Sequence, residues 1–265
     1  SWLFGIVIGG LLLVAILWLY EWLGTSFWWV ACIVVVVFSM LMNMFYSEWI
    51  VPLFNKQTPL EEGELRNAIE KFANRAGFKL NNIYVIDGSK RSTKANAYFS
   101  GLGPKKRIVL YDTLVDDLST EEIVAVLAHE IGHYKHKHTW QMMGVSVMNT
   151  VLMFFLLSLV LDSSMLAEAM GGDTPSFPLA LVAFGLLYTP LGLLTGIGIN
   201  ALSRRNEYQA DAFAASFGLA DALINGLKKL SVKSLSNLTP DSLYVKVYYS
   251  HPTLLQRMAA LQKYK

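Results

Sequence analysis

The segment His129-Glu130-Ile131-Gly132-His133 sets two imidazoles four residues apart, with a carboxylate next to the first. On a helix those two positions share one face, about 6 Å apart along the axis, so both rings can reach one tetrahedral cation. Glu130 points toward the same place but is displaced enough to hold a water instead of the metal. Two ligands and a general base from a turn and a half of helix is what a zinc peptidase needs. The plainer reading of the same residues is a helix with two surface histidines.

A zinc site needs a third protein ligand. In the run Asn200 to Asp211, the residues Asn200, Arg204, Glu207 and Asp211 fall at i, i+4, i+7 and i+11, a narrow polar stripe on a mixed or apolar rod. Glu207 is the candidate ligand. Asp211, one turn on, can accept a hydrogen bond from the far ring nitrogen of a liganding histidine and fix its tautomer. Asn200, on the same stripe, is expected to support the ligands in the same way. The bland alternative is an exposed Arg204–Glu207 ion pair, which is worth little. The chain has five histidines. His136 and His138 follow too closely to join the same tetrahedron easily, and Lys135 and Lys137 mark a solvated helix end. His251, before Pro252 and Thr253, is either a cap or surface residue at a helix start or the remaining imidazole able to donate to an oxyanion. Arg204 is the other candidate for that oxyanion role.

Composition sets the class of the protein. Hydrophobic residues make up 54% of the chain and charged ones 16%, with a mean hydropathy of +0.40, too apolar for an ordinary soluble domain. Residues 2–20 and 27–46 contain no charge, and further apolar runs cover 141–161 and 177–199, the last interrupted by Pro190 and several glycines. Each is long enough for a hydrocarbon layer about 30 Å thick. No Lys or Arg occurs in 1–55 or 139–203, so all 22 lie in the two segments that carry the zinc residues. The other connections hold acids, among them Glu21, Glu168 and Asp173. Four spans would put 47–140 and 200–265 on one face, and the basic bias makes that face cytoplasmic. No basic-aromatic interleaving points to nucleic acid. The single cysteine, Cys32, excludes an intramolecular disulfide. Ser1 falls inside an apolar run without a charged segment before it, which reads as a fragment or processed form.

The segment between the second and third spans is expected to hold an amphipathic helix over 60–76 and three short strands, 83–87, 96–100 and 107–111. Next comes the zinc helix over 119–138, opened by a Ser119…Glu122 capping box. Asn96, Ala97, Tyr98 and Phe99 form the candidate substrate strand, whose free edge could pair with an extended peptide. The alternative is an ordinary interior strand.

Several ordered motifs carry a family resemblance: Ile50 to Asn55, Thr58 to Glu61, Asp87 to Ser92, Asn96 to Phe99, Lys106 to Leu110, Asp112 to Leu114, His129 to His133, Ser203 to Asp211 and Ser250 to Pro252. Together they resemble the type I CAAX prenyl endopeptidases, zinc-dependent integral membrane proteases that include the a-factor-converting enzyme. The resemblance runs over nearly the whole chain from Ile50. It departs at Lys94-Ala95, where the family pattern usually has a histidine. It implies that His129, His133 and Glu207 bind zinc, that Glu130 is the base and that Asn96 to Phe99 guide the substrate. It also implies a seven-helix barrel around a chamber, with about three N-terminal spans absent from this chain.

The expected fold is mainly α: a multi-span helical membrane protein with a zincin-like (gluzincin) catalytic domain containing a small β-sheet. Its expected organisation is two transmembrane helices in 1–46, a cytoplasmic catalytic segment in 47–140, two further transmembrane helices in 141–199 and a C-terminal catalytic segment in 200–265. The expected function is zinc-dependent cleavage near the C-terminus of isoprenylated CAAX-type proteins, with Glu130 as general base and His251 or Arg204 on the oxyanion. The implied partners are a peptide or protein substrate, a Zn²⁺ ion and a lipid bilayer, bacterial inner membrane or endoplasmic reticulum, with the chain a monomer and no nucleic acid. Two competing readings are a quality-control membrane protease of the HtpX kind and a non-catalytic peptide-binding scaffold. The stretch Asn55 to Ser92 speaks against the first and the intact Glu130 against the second.

Overall fold

The computed structural model describes residues 2–78, 80, 82–90, 97–100 and 107–264. The chain divides into two compact units, residues 1–43 with 142–198 and residues 44–141 with 199–265.

The first unit is helical. Among the described residues, four helices are long and apolar enough to cross a membrane: α1 (Trp2–Leu23), α2 (Phe27–Phe45, running on through further helical turns to Phe54), α7 (His138–Leu161) and α9 (Phe177–Ser216). Their membrane-length stretches are predominantly apolar, and a helix satisfies its own backbone, so lipid can take the place of a protein neighbour. Trp2, Leu11, Trp18, Leu159 and Leu194 are correspondingly exposed. The faces that do meet bury Phe27, Ala31, Cys32, Phe154, Leu161, Phe177 and Phe184 in one cluster. Phe27 and Phe177 meet edge to face with ring centroids 5.8 Å apart. Pro190 sits inside α9 without ending it. A short helix, α8 (Ser164–Ala169), capped by Ser163, lies between α7 and α9. The mainly α membrane class is borne out.

The second unit begins with α3 (Val51–Phe54) and holds a four-stranded sheet: β1 (Gln57–Pro59), β2 (Asn82–Ile86), β3 (Ala97–Ser100) and β4 (Arg107–Tyr111). The order is β1-β2-β4-β3, with β2 parallel to β4 and the other pairs antiparallel. Tyr84 stands opposite Val109, and Val109 opposite Tyr98. The sequence did not reveal β1, which is short and contains Pro59, a residue tolerated at a sheet edge. The amphipathic helix is α4 (Glu64–Arg75), shorter at its start than expected, and it buries Ile69, Phe72 and Ala73.

After α5 (Asp112–Asp117), α6 (Thr120–Lys135) starts at the expected capping box. Ser119 Oγ accepts from the Glu122 amide at 3.3 Å, and Glu122 Oε2 accepts from the Ser119 amide at 2.8 Å. Lys229 of α10 (Ala220–Lys233) also donates to Glu122, 2.6 Å away, which binds the helix start to its neighbour. The expected single helix to 138 is corrected: α6 ends at Lys135, and Lys137 takes φ 58° before α7 begins. Ile83, Ile108, Leu110, Leu114, Ile123, Leu127 and Ile131 form the core that fixes α6 on the sheet, joined by Leu223 and by Leu261 of α12 (Leu254–Leu261). One more helix, α11 (Ser242–Tyr248), precedes α12.

At Gly132 the backbone of α6 approaches α9 closely. A methyl there would stand 2.9 Å from Ala210 Cα and 3.1 Å from Phe213 Cβ. Overpacking against backbone costs about 1–3 kcal/mol. Gly132→Ala is therefore expected to lower the thermal midpoint of the detergent-solubilised protein and to weaken its metal retention together. If both stay at wild-type values, the two helices do not depend on that contact.

Candidate active site

The interior of α6 delivers His129, Glu130 and His133, because its apolar face is locked on the core and its polar face is left toward α9. From α9 come Glu207 and Asp211, one turn apart. The ligating atoms of His129, His133 and Glu207 all lie within 4.8 Å of one another. His129 Nε2 is 3.5 Å from Glu207 Oε2, His133 Nε2 is 3.3 Å from Glu207 Oε1, and the two Nε2 atoms are 3.1 Å apart. Two imidazole nitrogens turned toward each other and one carboxylate form a donor set suited to a tetrahedral cation of the zinc type. His129 and Glu207 are buried. Glu130 is half-buried beside them; burial pushes its carboxyl pKa up, against the pull of His129 and His133.

Asp211 Oδ1 lies 2.8 Å from His129 Nδ1, which fixes Nδ1 as the protonated nitrogen and leaves Nε2 as the free donor. Arg257 of α12 clamps the same carboxylate, Nε on Oδ2 at 2.9 Å and Nη2 on Oδ1 at 2.5 Å, with Nη1 3.5 Å from Glu207 Oε2. Burial lowers the His129 pKa, and so does Arg257. Hydrogen bonds to Asp211 and Glu207 outweigh them and raise it to about 9. A cation held here must displace that proton.

His138 corrects the sequence reading. Lys135, His136 and Lys137 are exposed, but His138 is buried, its Nδ1 3.0 Å from His133 Nδ1 and its Nε2 2.9 Å from Gln209 Oε1. It stays outside the ligand cluster, as its spacing implies, but the solvated helix end does not extend to it, since the chain breaks at Lys137. Arg257 was also missed. The available signal was a charge beside the apolar stripe of Leu254, Met258 and Leu261.

His251 reaches the site from the loop between α11 and α12. Its Nε2 is 3.3 Å from Glu207 Oε1, and its side chain is 64% exposed. Thr253 supplies the α12 cap, with Gln256 completing a capping box, so His251 is free of that task. An open cavity of about 420 Å³ beside it is lined by Ser236, Tyr248, Tyr249, Leu254 and Arg257, among others.

The rest of the polar stripe does other work. Arg204 Nη1 donates to the carbonyls of Val245 at 3.2 Å and Tyr249 at 2.6 Å, and Asn200 Nδ2 donates to the Val247 carbonyl at 2.7 Å. Both expectations are corrected accordingly: Arg204 and Asn200 hold the segment that carries His251, and their bonds go to backbone instead of to an oxyanion or a ligand. Ala97, Tyr98 and Phe99 lie in β3, at the edge of the sheet next to α6. Asn96 lies outside the described residues, as do Lys94 and Ala95.

The chain is similar to known proteins. A family model described as peptidase family M48 matches residues 59–265, and one described as CAAX prenyl protease N-terminal, five membrane helices, matches residues 1–56. The chain is 41% identical to CAAX prenyl protease 1 of Saccharomyces cerevisiae, covering 96% of this chain and 60% of that protein. It is 35% identical to the human CAAX prenyl protease 1 homolog, covering 91% and 59%. The crystal structure of S. mikatae Ste24p superposes with a TM-score of 0.89 at 41% identity, over 98% of this chain and 64% of that one. The chain thus spans about three fifths of the length of these curated relatives. The resemblance carried by the motifs is borne out, and the chain belongs to peptidase family M48.

Proposed function

We propose that this chain acts as a zinc-dependent membrane endopeptidase that cuts near the C-terminus of isoprenylated CAAX-type proteins. The observation that carries the reading is the convergence of His129 Nε2, His133 Nε2 and a Glu207 carboxylate oxygen within 4.8 Å, with Glu130 alongside. The CAAX substrate class rests on the names of the similar proteins. His129, His133 and Glu207 would hold the ion, and zinc, when bound, supplies a Lewis acid that lowers the pKa of water and polarises a carbonyl.

The chain's own groups supply the rest. Glu130 is placed to accept a proton from the attacking water and to return it to the leaving amine. Its raised pKa makes it a better proton acceptor than an ordinary carboxylate. His251 Nε2 is placed to donate to the oxyanion that develops on the scissile carbonyl. The outer edge of β3 offers backbone groups that can align an extended peptide beside α6. Cleavage of prenylated but not unprenylated peptides of equal sequence would support the CAAX reading, and equal cleavage would favour a general membrane protease.

Purified protein is expected to hold about one zinc per chain, and Glu207→Ala is expected to lose it. Because His129 carries its proton up to about pH 9, zinc affinity should rise with pH below that value, with proton release on binding. Undiminished zinc in Glu207→Ala would remove that residue from the site.

Glu130→Gln keeps the size of the side chain but cannot take the proton. The expected cost is about 10²–10⁴-fold in kcat, with zinc content near wild type. Cleavage at an undiminished rate would remove Glu130 from the role of base.

The orientation is part of the same proposal. All Lys and Arg fall in residues 56–137 and 204–265, which supports a cytoplasmic position for both catalytic segments. In a Cys32→Ser background, cysteines at Lys90 and Lys263 should label from the cytoplasmic side and one at Asp173 from the opposite side. Labelling of positions 90 and 173 from one side would end the four-span topology.

A further inference from the structure

We propose that His138, held by Gln209, is a positioning residue that sets the tautomer and ring plane of His133. The inference rests on the zinc site proposed above. It begins from a constraint on His133 alone. Its Nε2 faces His129 Nε2 and Glu207 Oε1, so that nitrogen must present a lone pair if it is to ligate a cation. The proton then belongs on Nδ1. His133 Nδ1 lies 3.0 Å from His138 Nδ1, so His138 Nδ1 must accept. A neutral imidazole accepts at one nitrogen and donates at the other. His138 Nε2 must therefore donate, and 2.9 Å away stands Gln209 Oε1, an acceptor. Gln209, His138 and His133 form a relay in which each hydrogen bond requires the next.

Burial makes the relay strict. His138 is 3% exposed, so water cannot easily substitute for either partner. The two imidazoles meet nearly edge to face, with ring centroids 5.0 Å apart and planes 75° from parallel. His136 stacks on the other side of His138, 5.4 Å away at 15°. The ring of His138 is thus held both by its hydrogen bonds and by its faces.

The two ligands are consequently supported by different chemistry. The outer nitrogen of His129 meets Asp211, a carboxylate clamped by Arg257; that of His133 meets a neutral imidazole backed by an amide. A carboxylate behind each ring would add a fourth acidic group beside Glu130, Glu207 and Asp211. The neutral relay imposes the same tautomer without that group. His133 is also the more exposed of the two rings, 23% against 8%, and so has more need of an outside support.

The test uses purified protein, zinc affinity by chelator competition, and the cobalt-substituted form in ordinary water. Cobalt shifts the exchangeable ring N–H signals of its histidine ligands, and wild type should show two, from His129 and His133. His138→Ala should weaken zinc binding about 10–100-fold, the usual effect of losing such a partner, and should abolish one of the two signals while the other persists. Gln209→Glu, which keeps the acceptor, should retain both signals; Gln209→Leu, which removes it, should lose or broaden the same one as His138→Ala. A purely structural role would not separate the two position-209 variants in this way. Two intact signals and wild-type affinity in His138→Ala, or identical behaviour of Gln209→Glu and Gln209→Leu, would overturn the relay. Should His138→Ala not fold, the half-buried position 209 decides alone. Failure of the wild type itself to bind zinc would overturn the underlying metal reading instead.

Discussion

A carboxylate that is 1% exposed cannot remain ionised without partners, and Asp211 has two, the Arg257 guanidinium and the His129 ring. Burying an isolated charge is costly, whereas a buried pair with its hydrogen bonds satisfied can be held. This interaction draws three helices together, since His129 belongs to α6, Asp211 to α9 and Arg257 to α12. Removing Arg257 leaves the buried Asp211 carboxylate with the His129 ring alone. The geometry of the ligand face follows from it: His129 can offer only Nε2 inward, and Glu207, one turn before Asp211, is carried to the same place by the same helix.

How much of this the sequence displayed depended on how local each feature is. His129, Glu130 and His133 were legible because helical spacing alone puts them on one face, and Ser119 with Glu122 marked the helix start. Glu207 and Asp211 were legible as a polar stripe. Tertiary partners were not. Arg257 is 46 residues from Asp211, and no periodicity relates them. His138 was hidden by its lysine neighbours, because a pattern of charges reports average solvation and cannot report the single left-handed residue, Lys137, that turns the chain. The membrane spans were the easiest element, since nineteen or more uncharged residues need no partner to be recognised. The short β1 was the hardest, its three residues being defined only by pairing with β2.

The stripe on α9 also shows where spacing arguments stop. Asn200, Arg204, Glu207 and Asp211 share a face, and from that alone a common role was expected. In the structure the stripe divides. Its last two members face α6 and α12, and its first two bind carbonyls of residues 245–249. A shared helical face establishes direction but not depth along the rod, and different partners occupy different depths. Those first two residues still serve the site, at one remove, since the segment they hold leads directly into His251.

That division matches what the proposed hydrolysis asks of each group. A cation ligand must hold one position before, during and after the reaction, and His129, His133 and Glu207 stand on packed helices with their outer atoms engaged. A group that meets charge only as it develops has a different requirement. It must remain accessible to substrate and must not be neutralised beforehand by a buried partner. His251 meets the first of these requirements: it stands on a loop, its side chain 64% exposed, with Nε2 3.3 Å from Glu207 Oε1. Arg204 and Asn200 fix the backbone that leads into it. The rigid and adjustable parts of the site are thus supplied by different elements of one unit, and the polar stripe of α9 anchors both.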